Sequence, residues 1–556
     1  MKKINLNYFA IGVGLLSVPF FSLFITSLLF ILGFKINEFI FPLSILLSII
    51  TIFLTTKGNL KEFLFSSLLL ITIIIFSLFI SSCFYDYSYD GQWYHQEIIY
   101  ALHNGWNPIY WHHAPNISAS TELWVNHYAK GLETISATIY KTTGNIENGK
   151  ATNFILVIAS AFFFYNYLSQ FFSFLSSKKQ LLLTVVFVLC PIVTNQIFTY
   201  YIDWSMYTLL LILVSTLLCL IKQSSIFNYL IIGVIVFLSA AFKFNLLFWS
   251  LFVILFYLIY LVFEKKYKNL EKLIWTALIG VSFGVLIAGI NPYITNTLDH
   301  KNPFYPLMGE GKIDIMLINT PNYLTNKTRT ESILVSMFSL PNNSKEERSE
   351  LPLPSNFSEI NYDSAGLCDT RIGGFGFLFS WILVASIILY CLSIGIKNKM
   401  KNYFNFTLLL LLCSIFLLPS GWWARYVPFF YVFPLVMLLY SEYIQNKIEF
   451  TFFRNLIYIT ILINLAISFS SAFVKMIDNK TKVDNAIEEI STAKKPSKLN
   501  FGENISFKIK LDKQKIKYIV TPIDSLDLHT LSLYVHFSSS QFKVDRIGNI
   551  DLLKKL

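Results

Sequence analysis

Apolar residues run along this chain in long blocks, without the alternation or one-sided spacing of soluble domains. The stretches 11–34, 63–82 and 246–263 contain no charged residue. Each reaches the roughly 18 apolar residues that carry a helix across a bilayer. Barrel strands would be shorter and would alternate polar with apolar positions. The pattern therefore predicts a polytopic α-helical membrane protein. Lys2 and Lys3 precede the first block as in a signal peptide. That block is too long for a signal core and no small-residue cleavage site follows it, so it reads as a mature span.

Lysines punctuate the blocks and orient them, because Lys and Arg collect on the cytoplasmic side. Lys2 and Lys3 put the N-terminus inside; Lys57 with Lys61, Lys178 with Lys179, Lys222, Lys265 with Lys266, Lys397 with Lys399 and Lys401, and 442–447 mark further inside turns. This reading gives about thirteen spans. It leaves outer loops at 84–150 and 291–372 and a transmembrane domain over 1–473. From Lys475 the composition turns polar. Runs at 517–520, 531–537 and 542–544 read as strands and 484–491 as a polar helix. A small soluble extracytoplasmic α+β domain is expected over 474–556.

Composition agrees: 54% of residues are hydrophobic and 14% charged, with 53 Phe and a mean hydropathy of +0.56. Ordinary soluble domains are about 25% charged. The net charge of +11 follows from the inside lysines, so no nucleic-acid partner is expected. Cys83, Cys190, Cys219, Cys391 and Cys413 lie in or beside apolar runs and Cys368 in a loop, giving neither a zinc knuckle nor a disulfide framework.

Candidate chemistry gathers in the first outer loop, where Asp86 and Asp90 follow the third block and all of Trp93, Tyr94, His95, Trp106 and His127 come after them. Ionisable groups at the hydrocarbon boundary are costly and are usually kept for a task. A carboxylate beside a bond being made can take the proton of an attacking hydroxyl. Asp90 is the first candidate for that base and Asp86 the second. Asp90 also reads as an N-cap of the segment after it, and the aromatics as ordinary headgroup-layer residues. Flat indole faces suit sugar rings, and imidazoles suit hydroxyls. Lys130, Lys243, Arg371 and Arg425, with Tyr426 beside it, stand at outer span ends. Each reads as a snorkelling side chain or as part of a site for a lipid-linked phosphate, which Arg grips bidentately. A metal-free site is favoured over a divalent cation shared by Asp86, Asp90 and Glu97; the loop histidines lack zinc spacing.

The segment Asp90-Gly91-Gln92-Trp93-Tyr94-His95 and the later Trp423-Ala424-Arg425-Tyr426 sit in a layout that resembles the GT-C superfamily of integral-membrane glycosyltransferases, and Asn291-Pro292-Tyr293 followed by His300-Lys301-Asn302-Pro303-Phe304-Tyr305-Pro306 is similar to a segment recurring in bacterial membrane proteins of polysaccharide loci. The resemblance implies a catalytic acid near the start of the first outer loop and an Arg-Tyr before a late span. It further implies an inverting transfer of sugar from a polyprenyl-phosphate or polyprenyl-diphosphate carrier to a glycan, lipid or protein acceptor, at the outer face of a bacterial cytoplasmic membrane. Trp422-Trp423 is followed by Ala424, so the Trp-Trp-Asp motif of asparagine-linked transfer is absent. Two rival readings are a transporter or flippase and a polymerase or ligase of lipid-linked glycans. Transporters keep their ionisable sites near mid-bilayer in repeated halves, whereas here they crowd the span ends.

Overall fold

The computed structural model describes residues 7–346, 362–393, 401–417, 421–444, 448–493, 495–501, 505–521, 530–534 and 541–545. The expected inside markers Lys397 and Lys399, and positions 445–447, lie outside the described residues.

Asn7 accepts from the Ala10 amide and so caps α1 (Tyr8–Ile31). α2 (Ile40–Thr55) packs back along it, and α3 (Leu60–Ser82), capped by Asn59 on the Glu62 amide, follows. Only 22% of the apolar window of α3 is buried, and Leu64, Leu68, Ile75 and Phe79 face outward. A helix apolar on all sides yet so little covered belongs in lipid, not water.

The first long loop folds into a π-turn at Gly91–His95, then α4 (Gln96–His103), α5 (Glu122–His127) and α6 (Gly131–Thr143). The chain then forms α7 (Ala151–Phe171) and α8 (Ser177–Val188). Leu189 and Cys190 are extended, and Pro191 begins α9 (Pro191–Gln196). A residue before proline is pushed out of the helical region, while proline suits a first turn. The expected fifth span is thus two helices and a break. α10 (Asp203–Lys222), α11 (Ile226–Phe242) and α12 (Phe244–Phe263) follow, with the extended Lys243 alone between the last two. α13 (Tyr267–Phe283) continues through two π-turns into α14 (Thr295–His300). A Cβ on Gly280 or Gly284 would come within 3 Å of Val236 or Ala240, so these glycines let α11 and α13 approach closely.

The second long loop carries α15 (Ile315–Asn319), α16 (Arg329–Met337) and α17 (Tyr362–Ala365). After it come α18 (Phe379–Ser393), α19 (Lys401–Leu417), α20 (Val432–Ile444), α21 (Ile448–Thr492) and α22 (Ile505–Lys513). Among the described residues seven helices are long and apolar enough to cross a membrane, and five more are apolar over 10–17 residues. A multi-pass membrane protein follows. Thirteen separate full-length crossings do not, because several expected spans are short or broken.

The compositional change near 474 is no break in the backbone, since α21 runs through it for 45 residues. Beyond it β1 (Ser497–Leu499) pairs in parallel with β2 (Tyr518–Val520), and β3 (Thr530–Tyr534) pairs antiparallel with β4 (Gln541–Asp545). These correspond to the three strands read from sequence, with β1 added; positions 535–537 of the second lie outside the described residues. The tail docks on the first loop. Ile509 of α22 is buried with Ile98 and Leu102 of α4, Lys510 pairs with Glu147 at 3.3 Å, and the Tyr85 hydroxyl donates to Asp484 at 2.8 Å.

Candidate active site

The two acids that open the first loop have different surroundings. Asp86 is 1% exposed. Its carboxylate accepts from the Ser88 amide (2.8 Å), the Ser88 hydroxyl (2.7 Å) and the Tyr200 amide (3.2 Å). Burial pushes its carboxyl up from the ordinary range, with Lys150 opposing. Glu147, which accepts from the Asp86 amide and pairs with Lys150 at 2.7 Å, is held below the ordinary range by Lys150 and Lys510 in spite of its burial. Asp86 therefore acts as a clamp on the turn ahead of the π-turn and does not line the cavity. A Cβ on Gly91 would lie 1.9 Å from Asp86 Oδ2, so any larger residue there must displace that carboxylate.

Five residues after Asp86 the backbone widens into the π-turn, which lodges one more residue per turn than an α-helix and is common at functional sites. Asp90, Tyr94 and His95 all reach one cavity of about 310 Å³. Opposite them stand Tyr201, Asp203, Lys243, Arg425 and Tyr426. Arg425, on the short helical turn Ala424–Tyr426, donates to Asp90 Oδ2 at 3.1 Å. Its guanidinium lies 3.6 Å from Asp203 and 3.0 Å from Asp369. The rings of Tyr201, Trp423 and Tyr426 pack about it at 5.0, 4.6 and 5.1 Å. Burial works against its charge, yet Asp369 and Asp203 hold Arg425 firmly protonated.

Asp203 begins α10, where the helix N-terminus favours negative charge. It also forms an ion pair with Lys243, whose extended backbone between α11 and α12 lets it face the cavity. Trp423 Nε1 donates to Asp369 at 2.8 Å. Burial pushes the Asp369 carboxyl up to about 6, with Arg425 opposing and Asp90 reinforcing. When all three acids are ionised, the two cations leave the cluster one negative charge; a proton on Asp369 makes it neutral.

Of the expected site residues, the cavity collects Asp90, Tyr94, His95, Lys243, Arg425 and Tyr426. The others lie elsewhere. The Lys130 ammonium is buried and donates to the Asn126 carbonyl (3.0 Å), the Tyr128 carbonyl (2.6 Å) and Asn291 Oδ1 (2.6 Å), so all three of its protons are occupied. Burial brings its pKa down to about 7, with Glu133 opposing. Lys130 thus ties the first loop to the turn after α13 and does not line the cavity. Trp93 packs between Tyr89 and Trp124, and Trp106 is buried with its indole donating to the Trp111 carbonyl at 2.7 Å. His127 bonds Asn296 at 2.8 Å, and burial lowers its imidazole to about 4. Arg371 donates to Asn343 and Asn319 and braces the outer side of Trp423.

Sequence reasoning missed Asp203 and Asp369 as site members. Each stands beside an apolar run, without the neighbouring acid and histidines that singled out Asp90. Exposed Lys312 from the second loop also lines the cavity. Among the described residues no group of three or more His, Cys, Asp or Glu is arranged to hold a metal ion. No family model matches the chain, and no curated protein matches it.

Proposed function

We propose that the protein is an inverting membrane glycosyltransferase that moves a sugar from a polyprenyl-phosphate or polyprenyl-diphosphate carrier to an acceptor hydroxyl, at the outer face of a bacterial cytoplasmic membrane. One observation carries this reading. Asp90, Lys243 and Arg425, from three distant parts of the chain, share a cavity at the ends of apolar helices. Its volume of about 310 Å³ is at the lower end of small-ligand sites. One turn further along α12, Trp249, Phe252 and Val253 line a second, almost wholly apolar cavity of about 110 Å³. Phe429, Val432 and Val436 continue that lining beyond Arg425 and Tyr426. A charged chamber next to an apolar one suits an amphiphile with an anionic head and a hydrocarbon chain.

In this mechanism the acceptor oxygen attacks the anomeric carbon, and the bond from that carbon to the carrier phosphate breaks. Its electron pair leaves on the phosphate oxygen. Lys243 and Lys312 face that developing charge; removing one such preorganised donor typically costs about 2.7–4 kcal/mol in the transition state. Asp90 hydrogen-bonds the acceptor hydroxyl and orients it. Oδ2 of Asp90 is bridged to Arg425, so its carboxylate holds hydroxyl and guanidinium on either side of the reacting centre.

The test is incubation of the purified protein with a panel of polyprenyl-phosphate and polyprenyl-diphosphate sugars, read as release of carrier phosphate. Asp90→Asn is expected to lower turnover about 100-fold, the cost of a misplaced reacting group, while donor binding persists. Unchanged turnover in that variant removes Asp90 from the reaction.

A further inference from the structure

His95 is 2% exposed and lies in the cavity wall, yet it is not an inert core histidine. Its Nδ1 sits 2.5 Å from Glu133 Oε1 on α6, and both side chains are buried. Its other nitrogen, Nε2, is buried with no hydrogen-bond partner among the described residues. A buried polar nitrogen left unpaired is costly and calls for a partner. A carboxylate behind Nδ1 keeps the proton on that nitrogen and leaves Nε2 as an acceptor, and it stabilises the imidazolium once Nε2 is protonated.

We infer that His95, backed by Glu133, is the general base of the cavity. This rests on the transferase reading above and supplies its missing proton acceptor. The acceptor O–H bond breaks and its proton goes to His95 Nε2. The oxygen forms the new bond to the anomeric carbon, and the carrier phosphate departs with the electron pair of the old one. The imidazolium then releases the proton to water. Glu133 is a positioning residue, since it acts through His95. The π-turn has a direct purpose here: it puts His95 on the same cavity wall as Asp90, five positions earlier.

The groups around the pair are Asp90 and Tyr94 on its own turn, Glu133 on α6, Tyr128 and Lys130 on the segment before α6, and Arg425 across the cavity. Lys130 is locked by three acceptors and Arg425 by three carboxylates. Of the carboxylates lining the same cavity, Asp90 is paired with Arg425, Asp203 with Lys243, and exposed Asp314 accepts from the Leu317 amide; His95 Nε2 is a buried acceptor in that wall with no partner among the described residues.

The experiment has two arms on the full-length protein. In the first, nitrogen NMR of ¹⁵N-histidine-labelled protein, with His95→Gln identifying the signal, is expected to show His95 protonated at Nδ1 and bare at Nε2. Glu133→Gln should abolish that preference. In the second, carrier-phosphate release from the donor panel is followed against pH. His95→Gln is expected to fall about 100-fold or more and to lose the acid limb of the wild-type profile. Glu133→Gln should fall less and shift that limb, and added imidazole should partly restore His95→Gly. A proton on Nε2 in the first arm overturns the inference. So does a His95→Gln variant that keeps the wild-type rate and profile, and that result leaves the transferase reading standing. Wild-type protein inert toward every donor overturns the transferase reading and the role of His95 with it.

Discussion

Replacing Asp369 by Asn isolates the electrostatics of the cluster. The carboxyl of Asp369 is pushed up to about 6 in the folded protein, against about 3.9 in an unfolded chain. The gap of about two units, at 1.36 kcal/mol each, corresponds to about 3 kcal/mol. The sign follows from proton counting. Below about pH 4 the group is protonated in both states and contributes no difference. Between about 4 and 6 the folded form keeps a proton that the unfolded form has released, so stability falls as pH rises. Above about 6 the full cost of about 3 kcal/mol persists. Asparagine keeps the size and the acceptor for Trp423 Nε1 but has no charge to bury. Thermal unfolding followed by tryptophan fluorescence should therefore give coincident curves for variant and wild type near pH 4. By pH 7 the variant should be the more stable by several degrees. Other raised carboxyls, Asp86 and Glu97 among them, cancel in the difference. Parallel curves across the whole range, or a variant that loses ground as pH rises, would refute the account of Asp369 as a carboxylate held charged against its burial.

Two further predictions concern the scaffold. Gly91→Ala puts a methyl 1.9 Å from Asp86 Oδ2 and 2.3 Å from the Ser88 hydroxyl, an overpacking worth about 1–3 kcal/mol. Because Asp90, Tyr94 and His95 ride on that turn, carrier release should drop further than thermal stability does; a variant normal in both assays contradicts the clamp. Lys510→Met removes a buried partner of Glu147, which keeps Lys150, at about 1.5–3 kcal/mol. Limited proteolysis should then cleave the tail beyond 492 faster while the helical bundle stays intact, and an unchanged cleavage rate would show that α22 is held by its apolar contacts alone.

Membrane character, the acid-bearing first loop and the cationic span ends were all legible in the sequence. They depend on composition within a few residues: apolar blocks long enough to cross a bilayer, lysines between them, and charges at their edges. Asp90, Lys243 and Arg425 stood out for that reason. The same local view could not separate Asp86 from Asp90, since both are acids in one aromatic run. It could not foresee that Lys130 turns inward to three oxygen acceptors, or that α21 carries its helix straight through the change in composition.

Pairing was decided by the tertiary structure. Arg425 and Asp90 are 335 positions apart, and Glu133 is 38 from His95. Neither contact leaves a trace in local spacing. Such contacts arise when helices pack, because a charge removed from water must find a partner wherever the fold supplies one. That requirement drew Asp203 and Asp369 onto the guanidinium; Nε2 of His95 has no hydrogen-bond partner among the described residues. The chain's own pattern thus determined the bilayer class and the kinds of residue at its surface; the packing of the bundle decided which of them meet and which face the cavity.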